Sequence, residues 1–337
     1  MTKASIKDIA RKTNLSTSTV SRALNSQYGV SKQTRIKVME AAKELGYVPN
    51  LLAKELVHNK SNLVGLLIKD STMGEARPAF FEMLPYINKT LALYGKNTII
   101  SAIDPLSMED NELETIIKTR NLSGLIIFPG LQYKSILSQI KKSTLPIVII
   151  EEDLMLKHCS CIGTDEYHGT ELAVKKLFQL GHKEIGFING PDNIGICQKR
   201  LIGFKNALEK YGLQFKEERV IYSDFSGIGG GESALSLIKA DSSISAIFFA
   251  NDLMAMGGVS TLTEQGFNIP KDISIIGYDG LYMTPYYNPS LATIKINNQE
   301  LGIKTVEVLI ELINGGKGKS LSIKPTFQDG KSIKSLI

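Results

Sequence analysis

The 337-residue chain is 43% hydrophobic and 22% charged, with 29 Gly and 11 Pro; this is ordinary globular composition, long enough for two or three packed units and incompatible with global disorder. No apolar run reaches the roughly 18 to 20 residues of a membrane span, the polar start at Lys3, Lys7 and Asp8 is no secretory signal, and Cys159, Cys161 and Cys197 are too few for a disulfide framework, so a cytoplasmic protein is expected. The net charge of +5 is uneven: residues 1–60 hold 11 Lys/Arg against 4 Asp/Glu and the remainder 28 against 30, so a small basic module suited to a polyanion precedes a nearly neutral body.

Ser5 can cap a first helix whose Ile6, Ile9 and Ala10 share a face, with Asp8 in the first turn where the helix dipole favours a negative charge. The helix should stop near Thr13, because Asn14 tolerates a left-handed turn. Leu15 then anchors the chain and Ser16 caps a second helix. Val20, Ala23 and Leu24 share its inner face, which leaves Thr17, Ser18, Ser21, Arg22 and Asn25 pointing outward. Short hydroxyl and amide side chains are mediocre helix formers on an exposed face. They suit a helix laid in a DNA groove, where they let the backbone approach, and Arg22 offers a planar fork to guanine. Two helices joined by a tight turn, the second with such a face, form a helix-turn-helix. A third helix capped by Ser31 is expected to turn Ile36, Met39, Ala42 and Leu45 inward and to end at Gly46. After the break Tyr47-Val48-Pro49-Asn50, the segment Leu51 to Leu56 is too short to be a stable helix alone and should fold on binding. Leu56 then suits a minor-groove wedge, and burial of Leu51, Leu52 and Leu56 against the body is the alternative.

The stretches Ile6-Lys-Asp-Ile-Ala10, Ser16-Thr-Ser-Thr-Val-Ser-Arg-Ala-Leu-Asn25, Val30-Ser31, Thr34-Arg35 and Ala41-Ala-Lys-Glu-Leu-Gly-Tyr-Val-Pro-Asn50 resemble the headpiece of the lactose-repressor (LacI/GalR-type) family of bacterial transcription regulators. The resemblance implies that the helix from Ser16 reads the major groove, chiefly through Thr17, Ser18 and Arg22. It also implies a hinge helix after Asn50 that forms only in the DNA-bound dimer, with Leu56 as its wedge. The implied DNA-binding set is Ser16, Thr17, Ser18, Ser21, Arg22, Asn25, Ser31, Thr34, Asn50, Ala53, Lys54 and Leu56. Asn14 and Leu15 depart from the family's pattern, where small residues such as Gly and Val are usual.

Beyond the polar link at residues 58–62, short apolar runs alternate with amphipathic helical stretches. Strands are predicted at 63–68, 98–103, 124–128, 147–150, 185–188, 220–222, 246–249 and 273–277, and helices at 80–94, 109–119, 133–142, 169–180, 200–211, 231–239 and 253–265. Such alternation means parallel sheet covered on both faces. The pattern restarts near residues 161–167, which favours two lobes with a ligand cleft at the strands' C-terminal ends. The stretches Asp165-Glu-Tyr-His-Gly169, Leu180-Gly-His182, Arg200-Leu-Ile-Gly-Phe204, Ala250-Asn-Asp-Leu-Met-Ala-Met-Gly257 and Ile269 to Asp279 resemble the same family. The expected architecture is thus an all-α helix-turn-helix headpiece (1–49), a hinge and linker (50–61) and an α/β periplasmic-binding-protein-like body of two parallel-sheet lobes (62–337). By the resemblance, the first lobe covers about 62–161 and 292–318 and the second about 162–291 and 319–330, with a last strand at 321–327.

Asp252 follows an apolar strand, where a carboxylate can accept from ligand hydroxyls or cap a helix beginning at Leu253. Arg200 can donate, Phe81 and Phe225 can stack on a ring face, and the resemblance puts all four in the effector cleft; Asp165 is a further candidate. For Asp279 a turn role is at least as plausible, and Phe80 reads as core. Gly227-Ile-Gly-Gly-Gly231 lacks the Lys-Ser/Thr tail of a phosphate loop and reads as a flexible helix start. His158, Cys159, Cys161 and His168 make a weak metal signature, His182 reads as a helix end, and no nucleophile motif is present. A cytoplasmic sugar- or nucleotide-using enzyme and a sugar-binding receptor are the alternatives, and neither explains the basic module. The expectation is a non-enzymatic regulator without cofactor or metal, away from membranes. Its partners are near-palindromic double-stranded operator DNA, a small effector such as a sugar or sugar phosphate, and a second copy of the chain. A homodimer is favoured because residues 331–337 are too few for a heptad tail.

Overall fold

A computed structural model describes residues 4–24, 28–47, 61–70, 78–104, 109, 111–128, 134–152 and 154–337, the side chains of residues 79, 134 and 135 excepted. The chain divides into two compact units, Met1–Ser61 and Asn62–Ile337.

The first unit packs α1 (Ile6–Thr13), α2 (Thr17–Leu24) and α3 (Lys32–Glu44) around Ile9, Ala10, Val20, Ala23, Val38, Ala41 and Ala42. Its ends form as the capping chemistry predicts. The Asp8 carboxylate accepts from the Ser5 N–H at 2.9 Å and hydroxyl at 2.6 Å, Asn14 is left-handed with φ 56°, and the Ser16 and Ser31 hydroxyls accept from the Thr19 and Thr34 N–H groups at 3.1 Å. The expected inner face of α3 needs correction, because Ile36 and Met39 are 50% and 54% exposed. The buried stripe is Val38, Ala41 and Ala42, continued by half-buried Leu45, an i, i+3, i+4, i+7 spacing. Its small residues let three short helices approach closely.

The second unit holds two six-stranded sheets. The first has the order β11-β5-β4-β3-β1-β2, from β1 (Leu63–Lys69), β2 (Asn97–Ile103), β3 (Leu122–Ile127), β4 (Ile147–Ile150), β5 (Cys159–Thr164) and β11 (Ser320–Ile323), and every pairing in it is parallel. Its helices are α4 (Pro78–Leu93), α5 (Glu112–Thr119), α6 (Lys134–Lys142) and α11 (Asn298–Ile313). The second sheet has the order β12-β10-β9-β8-β6-β7, from β6 (Ile185–Asn189), β7 (Val220–Tyr222), β8 (Ala246–Phe249), β9 (Ser274–Asp279), β10 (Ala292–Lys295) and β12 (Thr326–Gln328), with α7 (Glu166–Gln179), α8 (Gly195–Lys210), α9 (Gly227–Ala240) and α10 (Asp252–Glu264). Only the β10–β12 pair is antiparallel. Each lobe has its own core, the second including the aromatic cluster Phe187, Phe204, Phe248 and Tyr278. Among the described residues no helix is long and apolar enough to cross a membrane.

The lobe boundaries shift from those expected. β5 pairs with β4 over Cys159–Ile162, so the first crossover follows Thr164 rather than residue 161. β10 pairs with β9, so the second crossover follows Lys295 rather than residue 291. The single last strand expected over 321–327 is two: β11 closes the first sheet, and after Lys324-Pro325 β12 joins the second. Three crossovers therefore run side by side at the lobe junction.

The glycines from Gly227 to Gly231 are not a flexible start. Ser226 caps α9, its hydroxyl accepting from the Gly229 N–H at 2.9 Å, and the glycines face α10 at backbone contact. A methyl at Gly257 would overlap the carbonyl oxygen of Gly227, and one at Gly230 would overlap the backbone of Met254. They form a close-packed seam between two helices.

Candidate functional site: recognition helix and lobe junction

On the first unit, Thr17, Ser18 and Arg22 are exposed on α2 and Ser21 is half-buried, while Val20 and Ala23 face the core. Ser16 caps the helix, and its hydroxyl lies 2.8 Å from both Ser18 Oγ and Thr19 Oγ1. A hydroxyl can donate once and accept twice, so Ser18 can keep that local bond and still meet a base or phosphate. Ser31 is exposed and Thr34 half-buried at the start of α3, their hydroxyls 2.8 Å apart. Asn25, Asn50, Ala53, Lys54 and Leu56 lie outside the described residues.

On the second unit, the candidate effector residues occupy different surroundings. Arg200, on α8, is only 3% exposed. Its Nε and Nη2 donate to Glu166 at 2.6 and 3.1 Å, its Nη1 donates to the Ala250 carbonyl, and its guanidinium lies 3.9 Å from the Tyr278 ring centroid. Asp252 is fully buried. Its Oδ1 accepts from Thr293 Oγ1 at 2.6 Å and its Oδ2 from the Leu281 N–H at 2.8 Å, and Gly277 leaves room for it, since a methyl there would overlap Oδ1. The expectation of Asp252 as an open acceptor or as a cap is thus corrected: Asn251 caps α10, accepting from the Met254 N–H at 2.9 Å, and Asp252 ties the loop after β9 to β10.

Phe225 is left-handed (φ 67°), with its carbonyl accepting from Asn251 Nδ2 at 3.0 Å and its ring against Gly190. Phe81 is 64% exposed and meets Phe80 edge-on at 5.1 Å. Its neighbour Glu82 accepts from the Tyr282 N–H at 2.9 Å and from Asn298 Nδ2 at 3.1 Å, so α4 of the first lobe is linked to the loop that Asp252 holds. Arg200, Asp252 and Phe225 therefore meet around residues 250–252, whereas Phe81 is tied to that region only through its chain neighbour Glu82. Asp165 caps α7, accepting from the His168 N–H at 3.0 Å, and lines an open hollow of about 370 Å³ with Tyr167, His168, Glu171, Asn206 and Lys210.

The sequence reading missed several members of the junction. Glu151, left-handed at the end of β4, accepts at Oε1 from the Thr164 N–H and hydroxyl at 2.9 and 2.8 Å; burial, then the charge of Glu166, pushes its carboxyl up to about 8. Asp279 ends β9 with φ 111°; burial, opposed by Arg200 and reinforced by Glu166 and Glu82, pushes it up to about 7. Glu166 lay inside the Asp165 to Gly169 stretch, and its signal was a carboxylate at the start of a helix beside a strand end. Elsewhere, Cys159 and Cys161 are buried in β5, and burial pushes the Cys159 thiol up to about 12. His158 Nε2 lies 3.0 Å from the Ile140 carbonyl. His182 stands beyond the end of α7, between Ser245 Oγ and the Lys334 carbonyl. Among the described residues no group of three His, Cys, Asp or Glu could hold a metal ion.

Residues 5–50 match the model of bacterial regulatory proteins of the lacI family, and residues 61–331 match that of periplasmic binding proteins and the sugar binding domain of the LacI family. The chain belongs to the LacI family. It is 32% identical over 342 residues to the HTH-type transcriptional repressor PurR of Haemophilus influenzae, across 99% of this chain and 100% of that one. Its fold matches the lac repressor dimer bound to operator and the anti-inducer ONPF with a TM-score of 0.85 at 26% identity, covering 99% of this chain and 100% of that one. A LacI family transcriptional regulator from Enterococcus faecium with bound ribose matches with a TM-score of 0.69 at 27% identity, over 82% of this chain and all of that one. This LacI-family member is a DNA-binding transcription regulator with an effector-binding body.

Proposed function

We propose that this LacI-family protein is a cytoplasmic, non-enzymatic homodimeric repressor that binds a near-palindromic operator and is controlled by a sugar held at the lobe junction. The observation that carries the reading is the covalent union of the α2 surface, Thr17, Ser18 and Arg22, with a body whose two lobes meet along three crossovers. One recognition helix reads only a few base pairs, so useful specificity calls for two copies on two half-sites. The operator-bound lac repressor dimer and the ribose-bound regulator from Enterococcus faecium are precedents for the dimer and for a sugar ligand.

At the junction, Phe81 and Phe225 offer ring faces to an apolar sugar face, Arg200 has guanidinium hydrogens beyond those given to Glu166 and Ala250, and Asp279 offers carboxylate oxygens to hydroxyls. Asp252 supports the site by holding the loop after β9, and Asp165 borders it at the first crossover. A ligand shifts the DNA equilibrium only through its different affinity for the two lobe arrangements. The test has two stages. Selection of bound duplexes from a random pool supplies the operator, and thermal-shift screening of the full chain against sugars, sugar phosphates and nucleobases supplies the effector. A palindromic consensus whose affinity changes when a stabilising sugar is added supports the reading. Failure to enrich any duplex would refute it, and stabilisation by nucleobases alone would overturn the sugar assignment.

A further inference from the structure

Two neighbouring amides in the loop after β9 are held from opposite lobes. The Leu281 N–H donates to Asp252 Oδ2 at 2.8 Å, inside the second lobe, and the Tyr282 N–H donates to Glu82 Oε1 at 2.9 Å, on α4 of the first. The Tyr282 side chain is 73% exposed, so it is the amide, not burial of the ring, that fastens this part of the loop. The other carboxylate oxygen of Glu82 accepts from Asn298 Nδ2 at 3.1 Å, in the first turn of α11. That side-chain amide can face only one way, because turning it would set Oδ1 against the carboxylate. In this orientation Oδ1 is buried with no hydrogen-bond partner among the described residues. Asn298 leaves an acceptor unmet while it aims Glu82 at the loop.

Both ends of the Glu82–Tyr282 bond stand on stiff supports. In the first lobe, α4 and α11 pack so closely that a methyl at Gly302 would come to 3.0 Å from Tyr86 and 3.2 Å from Met83, and Met83, Ile87, Leu301 and Val306 are buried in one core. In the second, Asp252 accepts from Thr293 Oγ1 at 2.6 Å. Thr284, fully buried, donates from Oγ1 to the Leu281 carbonyl at 2.8 Å and accepts at the same atom from Gln328 Nε2 at 2.8 Å. A carboxylate makes a stronger acceptor than a neutral oxygen, but the bond still weakens steeply as its angle closes. Between two stiff bodies it therefore survives in one lobe arrangement and is lost in another.

We propose that Glu82 is the inter-lobe clasp of this regulator: its bond to the Tyr282 N–H selects the lobe arrangement described above, and reorientation of one lobe on the other breaks it. Glu82 is thus a positioning residue that acts between the lobes, not a contact to the ligand. Phe81, the proposed stacking ring, precedes it on α4, so a ligand that shifts the start of this helix acts on the clasp directly. The clasp builds on the two-lobed regulator reading, but its test uses neither DNA nor effector, so its failure leaves that reading untouched.

The loop allows the donor to be removed by itself. The Thr284 N–H donates to the Leu281 carbonyl at 2.9 Å, which makes Tyr282 the second residue of a β-turn, and the third, Met283, has φ −81° and ψ −16°. This is type I geometry, in which proline suits the second position. Tyr282→Pro therefore keeps the turn and loses the bond, whereas Tyr282→Ala keeps the N–H and loses only the ring. Spin labels at Lys141→Cys on α6 and Lys239→Cys on α9, both exposed, report the lobe separation by pulsed dipolar spectroscopy in the full chain, with labelled chains diluted into unlabelled ones to isolate distances within one chain. Tyr282→Pro and Glu82→Ala should each raise the population of a second distance several-fold over wild type, and Tyr282→Ala should keep the wild-type distribution. Wild-type distances in either Tyr282→Pro or Glu82→Ala overturn the clasp, as does an equal shift in Tyr282→Ala and Tyr282→Pro. Should Tyr282→Pro fail to fold, an unshifted Glu82→Ala overturns it alone.

Discussion

Arg22 and Arg200 are the same residue type in opposite surroundings, one exposed and one buried. Arg22 stands exposed on α2, free to give a base-edge fork, and a good bidentate pair discriminates by about 1 to 3 kcal/mol. Arg22→Ala should therefore weaken binding to the selected operator by that amount and binding to random duplex little, as measured by competitive titration. An equal loss on both would make Arg22 a phosphate contact. Arg200 was read as a cleft donor, but nothing local to its sequence reveals Glu166, 34 positions earlier, as its partner. Breaking a buried pair leaves an uncompensated charge and costs about 3 to 5 kcal/mol. Arg200→Ala should lower the denaturant midpoint of the body by a corresponding amount. Arg200→Lys should not restore it, since an ammonium cannot reproduce the planar fork on Glu166. A midpoint within error of wild type for either variant would show that the pair contributes no net stability.

At the scale of elements, what was legible follows from periodicity and punctuation. The eight apolar runs became strands nearly where expected, the central ones such as β4, β6 and β8 buried along their whole length and the edge strands β2 and β7 only in part. The strand Cys159–Thr164 was missed because Cys-Ser-Cys-Ile-Gly-Thr is no apolar run, although five of its six residues are buried. The helix Asn298–Ile313 carried a readable start, with Asn297 accepting from the Glu300 N–H at 3.1 Å and Leu301, Thr305, Val308, Leu309 and Leu312 buried along one stripe. It was obscured because the chain there passes between lobes. The glycine-rich start of α9 was misread because its purpose lies in another helix: Gly227 and Gly257 are 30 positions apart. Overpacking in a tight core costs typically 1 to 3 kcal/mol, and here the obstruction is backbone rather than a movable side chain. Gly257→Ala should thus destabilise the body by about that much in urea titrations, whereas Gly195→Ala, with open space around it, should be neutral or slightly stabilising. Equal effects at the two positions would show that the α9–α10 seam relaxes freely.

Across the whole molecule, the titrating groups with shifted affinities divide between the two units in a way that predicts where stability depends on pH. In the first unit the shifted carboxyls, Asp8 and Glu44, are exposed and held low by Ser5 and Lys12 hydrogen bonds. Their contribution is complete above the ordinary carboxylate range and is lost only in acid. In the body, Glu151 and Asp279 are pushed up to about 8 and about 7. A carboxyl raised on folding contributes fully below its unfolded value and loses that contribution as pH rises through its folded one, because the native state must give up a proton it holds more tightly. His182 is lowered by burial between Ser245 and Lys334, and its contribution is lost in the other direction, as pH falls below the ordinary histidine range. The body should therefore lose stability on the alkaline side from pH 6.5 to 8.5, at a slope on the order of 1.4 kcal/mol per pH unit for each proton released, while the first unit stays flat. Calorimetry of the full chain at pH 6.5 and 8.5, with the body's transition assigned by its larger enthalpy, checks this. Glu151→Gln should melt close to wild type at pH 6.5 and above it at pH 8.5, because the amide cannot ionise. If wild type and variant fall together, the alkaline loss arises from Asp279 or elsewhere, and Glu151 keeps in the folded chain the proton affinity it has in the unfolded one.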